Sequence, residues 1–130
     1  MSKAIIHQFD PQIYPRLLWV VIGETKGADI SDRFDVPDMD DCADARVDIA
    51  GDKITGKGGI IVRFRSRKAA TIGTIAHESV HAAMEIFRYV DAECDTENQE
   101  PFAYLVGWIA GCIKEAMKPV STGSSLPVKS

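Results

Sequence analysis

The chain keeps its two kinds of apolar pattern apart: short β-type runs fill its first half, and helical periods fill the stretch after residue 67. Residues 15–23, Pro-Arg-Leu-Leu-Trp-Val-Val-Ile-Gly, form an apolar run with β-branched and aromatic members between two breakers, which predicts a buried strand. Val47–Ala50 predicts another, followed by the turn-rich stretch 51–56 with a short extended piece. Gly58-Gly59 leads into a further buried strand over 60–64. Helical spacing then predicts one helix over 68–89 and a second over 98–117, joined by the polar residues 91–97. Strands first and helices second define an α+β fold of two layers, a small sheet packed on two helices.

With 130 residues there is material for one core, so a single domain over 1–118 is expected. Residues 119–130 are too polar and too rich in breakers to pack, which makes them a flexible C-terminal tail. The net charge of -4 gives no long-range attraction for phosphate backbones. Arg63, Arg65, Arg67 and Lys68 alternate along a strand end and read as a solvated edge, so no nucleic-acid partner is expected. The longest apolar run, 102–113, falls short of the roughly 20 residues a membrane-spanning helix needs, so no membrane partner is expected either. The N-terminus has no apolar secretory region, which points to the cytoplasm. Cys42, Cys94 and Cys112 form no C-x-x-C pair and read as reduced structural thiols. The seven aspartates between Thr25 and Asp44 miss the spacing of a calcium loop and read as a solvated connection.

Chemistry is concentrated in His77-Glu78-Ser79-Val80-His81, an H-E-x-x-H sequence inside the first predicted helix. Residues four apart share a helical face, so both imidazoles reach one metal ion while Glu78 stands to the side of the pair. Zinc suits two neutral imidazoles and a carboxylate, and a water in its open position ionises near neutral pH. Glu78 is placed to act as general base. At about 100° per residue, Ile72, Ile75, Ala76, Ser79, Val80, Ala83, Ile86, Phe87 and Val90 fill an arc from about 160° to 300°, with His77 taken as zero and His81 near 40°. The histidines therefore lie opposite the expected core face. No Lys or Arg stands at 81 or 82 to pair with Glu78.

A catalytic zinc needs a third protein ligand. Glu97 and Glu100 lie 16 and 19 residues after His81, far enough for a second helix to return antiparallel. Asn98 as N-cap and Pro101 in the first turn put Glu100 on the helix and Glu97 before it, which favours Glu100. Both can point to the cleft, and His7 is the remaining alternative. Gly107 and Gly111, on the same side as Glu100, leave room for another backbone to approach. Tyr104 lies one turn beyond Glu100, where it either packs or supports a ligand or an oxyanion.

Residues 74–82, together with Glu100-Pro101-Phe102-Ala103-Tyr104-Leu105-Val106-Gly107-Trp108-Ile109, resemble the zincin-like metallopeptidases with a downstream glutamate, and more narrowly the small metallopeptidases encoded by phages and prophages. The resemblance is strongest over 71–114. It implies a minimal zincin-like fold, with His77, His81 and Glu100 as Zn2+ ligands and Glu78 as catalytic base. It also implies hydrolysis of a peptide or related amide bond in a peptide or protein substrate by a zinc-bound water, in the host cytoplasm if the chain is phage-encoded. Pro101 directly after the presumed ligand departs from the family pattern. The alternative is a catalytically silent protein of this fold that binds a host or phage partner. Glu78, which a purely structural zinc site would not need, favours the enzyme.

Overall fold

Six consecutive residues, Leu17 to Ile22, are all buried, and a strand buried on both faces must lie inside a sheet with cover on each side. A computed structural model describes residues 4–119 and shows how that cover is supplied. The sheet comprises β1 (Ile5–Phe9), β2 (Leu17–Ile22), β3 (Ala45–Gly51) and β4 (Gly58–Phe64), in the order β1-β2-β4-β3. The central pair β2 and β4 is parallel, in the register Leu18↔Ile60 and Val20↔Val62, while β1 and β3 pair antiparallel at the two edges. Two helices complete the fold, α1 (Ile72–Tyr89) and α2 (Glu100–Ala116). The fold is thus α+β, with a four-stranded mixed sheet and two helices.

Alternation along the central strands divides the core. Leu18, Val20, Ile22, Ile60, Val62 and Phe64 face the helices, where they meet Ala82, Ala83 and Ile86 of α1 and Ile109 and Ile113 of α2. Leu17, Trp19, Val21 and Ile61 face the other way, onto Ile30 and Phe34. The aspartate-rich connection is therefore more than a solvated loop. Its aspartates stay at the surface, but Ile30, Phe34 and Met39 are buried, and the Phe34 ring lies 4.8 Å from Trp19. Two layers do not describe the molecule fully, because this segment covers the second face of the sheet. Gly27 closes it: a Cβ there would meet the Val36 carbonyl oxygen at 2.0 Å, and its N–H donates to Asp38 Oδ1 at 2.8 Å.

Arg63 corrects a second expectation. β4 is an interior strand, so Arg63 is fully buried on the loop-covered face instead of lining a solvated edge. Its guanidinium donates to Glu24 Oε2 at 3.2 Å, Asp48 Oδ2 at 3.1 Å and the Pro37 carbonyl at 2.6 Å, tying β3, β4 and the covering segment together. Burial pushes the Glu24 carboxyl above its usual range, opposed by the Arg63 guanidinium. Arg65 reaches outward to the carbonyls of Asp40 and Ala43.

Strand β1 was absent from the expectation, since Ile5–Phe9 is too short and too mixed to stand out, yet it pairs fully with β2. The helices start later than their periodicity implies. Thr71 caps α1 by accepting from the Thr74 N–H at 3.3 Å, and residues 68–70 form a turn. At the far end Asp91 adopts φ 58°, with Ala92 N–H bonded to Phe87 O at 2.8 Å and Asp91 N–H to Arg88 O at 3.3 Å. That pair of bonds is a Schellman closure, here without a glycine. α2 begins at Glu100 with Gln99 at the cap position in place of Asn98, and Pro101 is accommodated in the first turn. The expected tail falls at residues 119–130, of which 120–130 lie outside the described residues. No helix among the described residues is long and apolar enough to cross a membrane.

The Arg63 cluster yields a stability prediction. Arg63→Met leaves Glu24 and Asp48 without their shared partner and should lower unfolding free energy by about 3–5 kcal/mol. Pairing it with Glu24→Met should recover part of that loss. Urea unfolding of the single and double variants checks both, and a double variant no more stable than Arg63→Met would refute the account.

Candidate metal centre

α1 lies over β3 and β4, with Ser79, Ala82, Ala83, Ile86 and Phe87 buried against them and against α2. This buried arc is turned from the one expected. Ala82 and Glu78 are enclosed, whereas Ile72 is 90% exposed and Val80 faces solvent. The rotation brings the motif to the border of the buried face: His77 and His81 emerge into solvent, and Glu78 is drawn in until 8% of it is exposed.

The result is a cleft of about 340 Å³ between α1 and the edge strand β3, lined by Ala45, Arg46, Val47, His77, Glu78, His81 and Glu85. A second hollow of about 300 Å³ continues it past the start of α1, sharing Ala45, His77 and Glu78 and adding Asp44 and Thr74. In the cleft the two imidazoles converge. His77 Nε2 and His81 Nε2 are 3.2 Å apart, with ring centroids at 4.8 Å and planes at 71°. The Glu78 carboxylate accepts no hydrogen bond among the described residues. Its pKa is raised by burial, against the opposing pull of His77 and His81. Arg46, which lines the same cleft, shares its Nε–H between the two oxygens of Asp48, at 3.0 and 2.8 Å.

The structure brings His77, Glu78 and His81 together and leaves the expected third ligands elsewhere. Among the described residues, no group of three or more His, Cys, Asp or Glu side chains is arranged to hold a metal ion. Glu100 is exposed in the first turn of α2, and Glu97 is exposed in the connection before it. The Phe87 and Phe102 rings, 5.2 Å apart, set that first turn beside the end of α1, about 9 Å of helix rise past His81. His7 sits on β1, the opposite edge of the sheet from β3, three strand spacings or about 14 Å away. Its Nε2 is enclosed, and burial together with the charge of Arg67 lowers its pKa. Tyr104 is 74% exposed, so it neither packs in the core nor enters the cleft. Gly107 and Gly111 also face open space, with no backbone approaching them among the described residues. Cys42 and Cys94 are exposed, and burial pushes the Cys112 thiol up to about 12.

Sequence reasoning overlooked Glu85. It stands four residues after His81 and therefore on the same strip of α1, and that spacing was the available signal. It also overlooked the cleft wall formed by Ala45–Val47, which depends on strand order.

The donor chemistry of the pair suits zinc. Two imidazole nitrogens at the usual Zn–N distance and a tetrahedral angle stand about 3.3 Å apart, close to the 3.2 Å separating these Nε2 atoms. Compared with known protein families, curated proteins and solved structures, the chain matches none.

Proposed function

We propose that the chain is a zinc-dependent hydrolase of the metallopeptidase type, acting on a peptide or related amide bond. The observation that carries this reading is the convergence of His77 and His81 on one point beside a buried, unbonded Glu78. His77 and His81 would hold Zn2+, and Glu100, which lies outside the cleft in this structure, is the third protein ligand proposed from its place in the sequence. When bound, zinc supplies Lewis acidity toward a carbonyl and acidifies a water molecule. Glu78 takes the proton of the attacking water and delivers it to the departing amine. The apolar wall Ala45 and Val47 and the close packing of α1 on the sheet shield Glu78 from bulk water, which strengthens its attraction for that proton. His77 and His81 keep their aim because the helix fixes their spacing.

Metal uptake is the first test. Protein purified without chelator or affinity metal should carry close to one equivalent of zinc by elemental analysis, and His77→Ala or His81→Ala should lose it. Unchanged metal content in both variants would remove the site. Titration of Glu100→Gln decides the third ligand: affinity weakened by about tenfold or more assigns it, and unchanged affinity dismisses it.

Catalysis is the second test. Glu78→Gln keeps size and zinc but removes the proton acceptor, so hydrolysis should fall by about 10²–10⁴-fold. Comparing peptides released in a lysate by wild type and by Glu78→Gln is the practical assay. Identical release by the two would sink the mechanism. No release by zinc-loaded wild type across broad peptide libraries would favour a binding protein that acts on a partner without cleavage.

A further inference from the structure

Away from the histidines, at the end of the sheet where β2 and β4 begin, lies a separate hollow of about 350 Å³ lined by Asp10, Gln12, Tyr14, Arg16, Lys57 and Gly58. Arg16 is its unusual member. The Tyr89 ring lies over the guanidinium, with Cζ 4.1 Å from the ring centroid, and Gly58 lies so close that a Cβ there would collide with Nη1. The group is thus held in place, yet its donors are poorly used. Nη2 reaches Gly59 O only at 3.4 Å, and neither Nη1 nor Nε donates to anything among the described residues. Nε is enclosed, whereas Nη1 stays open to solvent.

No carboxylate lies within ion-pairing distance of Arg16 or of Lys57 among the described residues. Asp10 shares the hollow, but its Oδ1 is taken by the Gln12 N–H at 2.8 Å, in a turn that holds Gln12 at φ 68°. Termination of α1 does not account for Arg16 either, because it donates to none of that helix's last carbonyls. A guanidinium drawn partly out of water with unmet donors is costly, and an anion supplies what it lacks. Arg16 and Lys57 set against Asp10 leave one positive charge. A single carboxylate matches it, whereas a phosphate dianion exceeds it and faces Asp10.

We propose that this hollow is a second ligand site, one that takes a singly charged carboxylate between Arg16 and Lys57. Nη1 and Nη2 donate to the two carboxylate oxygens, and the exposed Lys57 adds its charge from the rim. Tyr89 and Gly58 fix the orientation of the fork in advance. A free small acid and the C-terminus of a peptide present the same two oxygens. The site does not rest on the hydrolase reading, since none of its residues lines the histidine cleft.

Amide chemical shifts of the isotope-labelled full chain test this with four probes: butyrate, acetyl-alanyl-alanine with a free C-terminus, neutral butyramide and inorganic phosphate. Both carboxylates should shift the Lys57, Gly58 and Gly59 amides saturably, with dissociation constants of about 1–10 mM, and butyramide should not. A peptide terminus bound about tenfold more tightly than butyrate identifies a chain end as the source, and otherwise a free acid is the ligand. Arg16→Gln should weaken carboxylate binding by about tenfold or more. Lys57→Glu should do the same from an exposed position, which keeps the test decisive if Arg16→Gln folds poorly, and Lys57→Arg should retain binding. Equal shifts with butyramide, phosphate bound more tightly than either carboxylate, affinity unchanged in Lys57→Glu, or shifts confined to the residues around His77 and His81 would overturn the assignment.

Discussion

The parallel pairing of β2 with β4 is the constraint on which the rest of the molecule depends. β2 is buried throughout and β4 from Gly59 onward, so each face of the sheet must be covered by something that arrives from elsewhere in the chain. On one side α1 and α2 do this with small and aliphatic residues. On the other, an irregular segment does it with three apolar side chains and the ties to Arg63. A parallel pair also needs a long crossover, and the residues between Ile22 and Gly58 supply it while contributing β3 and that cover.

The candidate site is set by how α1 meets this sheet. A helix whose buried arc includes Ala82 and Ser79 can sit close to the strands, and close approach turns Glu78 inward and leaves the histidines at the rim. The chemistry therefore lies at a boundary of burial. The imidazoles remain accessible to a ligand from solvent, whereas the carboxylate one position along is held where water is scarce. β3 closes the other side of the cleft because it is the edge strand beside α1, and it brings Arg46, anchored to Asp48 through Nε, into the cleft wall.

Much of this was legible in the sequence. The apolar run Leu17–Ile22, the strand after Gly58-Gly59 and the two helical periods are strong one-dimensional signals, and they recover the α+β class and the placement of the His-Glu pair on one helix. Strand β1 escaped notice because an edge strand needs only one apolar face. The covering segment escaped because Ile30, Phe34 and Met39 are outnumbered by aspartates, which stay at the surface. The burial of Arg63 could not be foreseen without strand order, and Glu85 was passed over because it lies one turn outside the motif. Glu100 shows the limit of spacing arguments. The chain length permits its return to the histidines, but the Phe87–Phe102 contact fixes which turn of α1 it returns to.

Residues His77, Glu78, His81 and Glu85 all belong to one continuous helix, stopped at one end by Thr71 and at the other by the left-handed Asp91. Their relative positions are therefore properties of a single cooperative element. Whatever loosens α1 disperses all four together, and whatever grips the histidine pair holds the helix. A ligand present at a hundred times its dissociation constant would add about 2.7 kcal/mol to the opening free energy of that element. Amide exchange along α1 would then slow as a block on ligand addition, with the change largest between Thr71 and Asp91 and least in β1 at the far edge of the sheet.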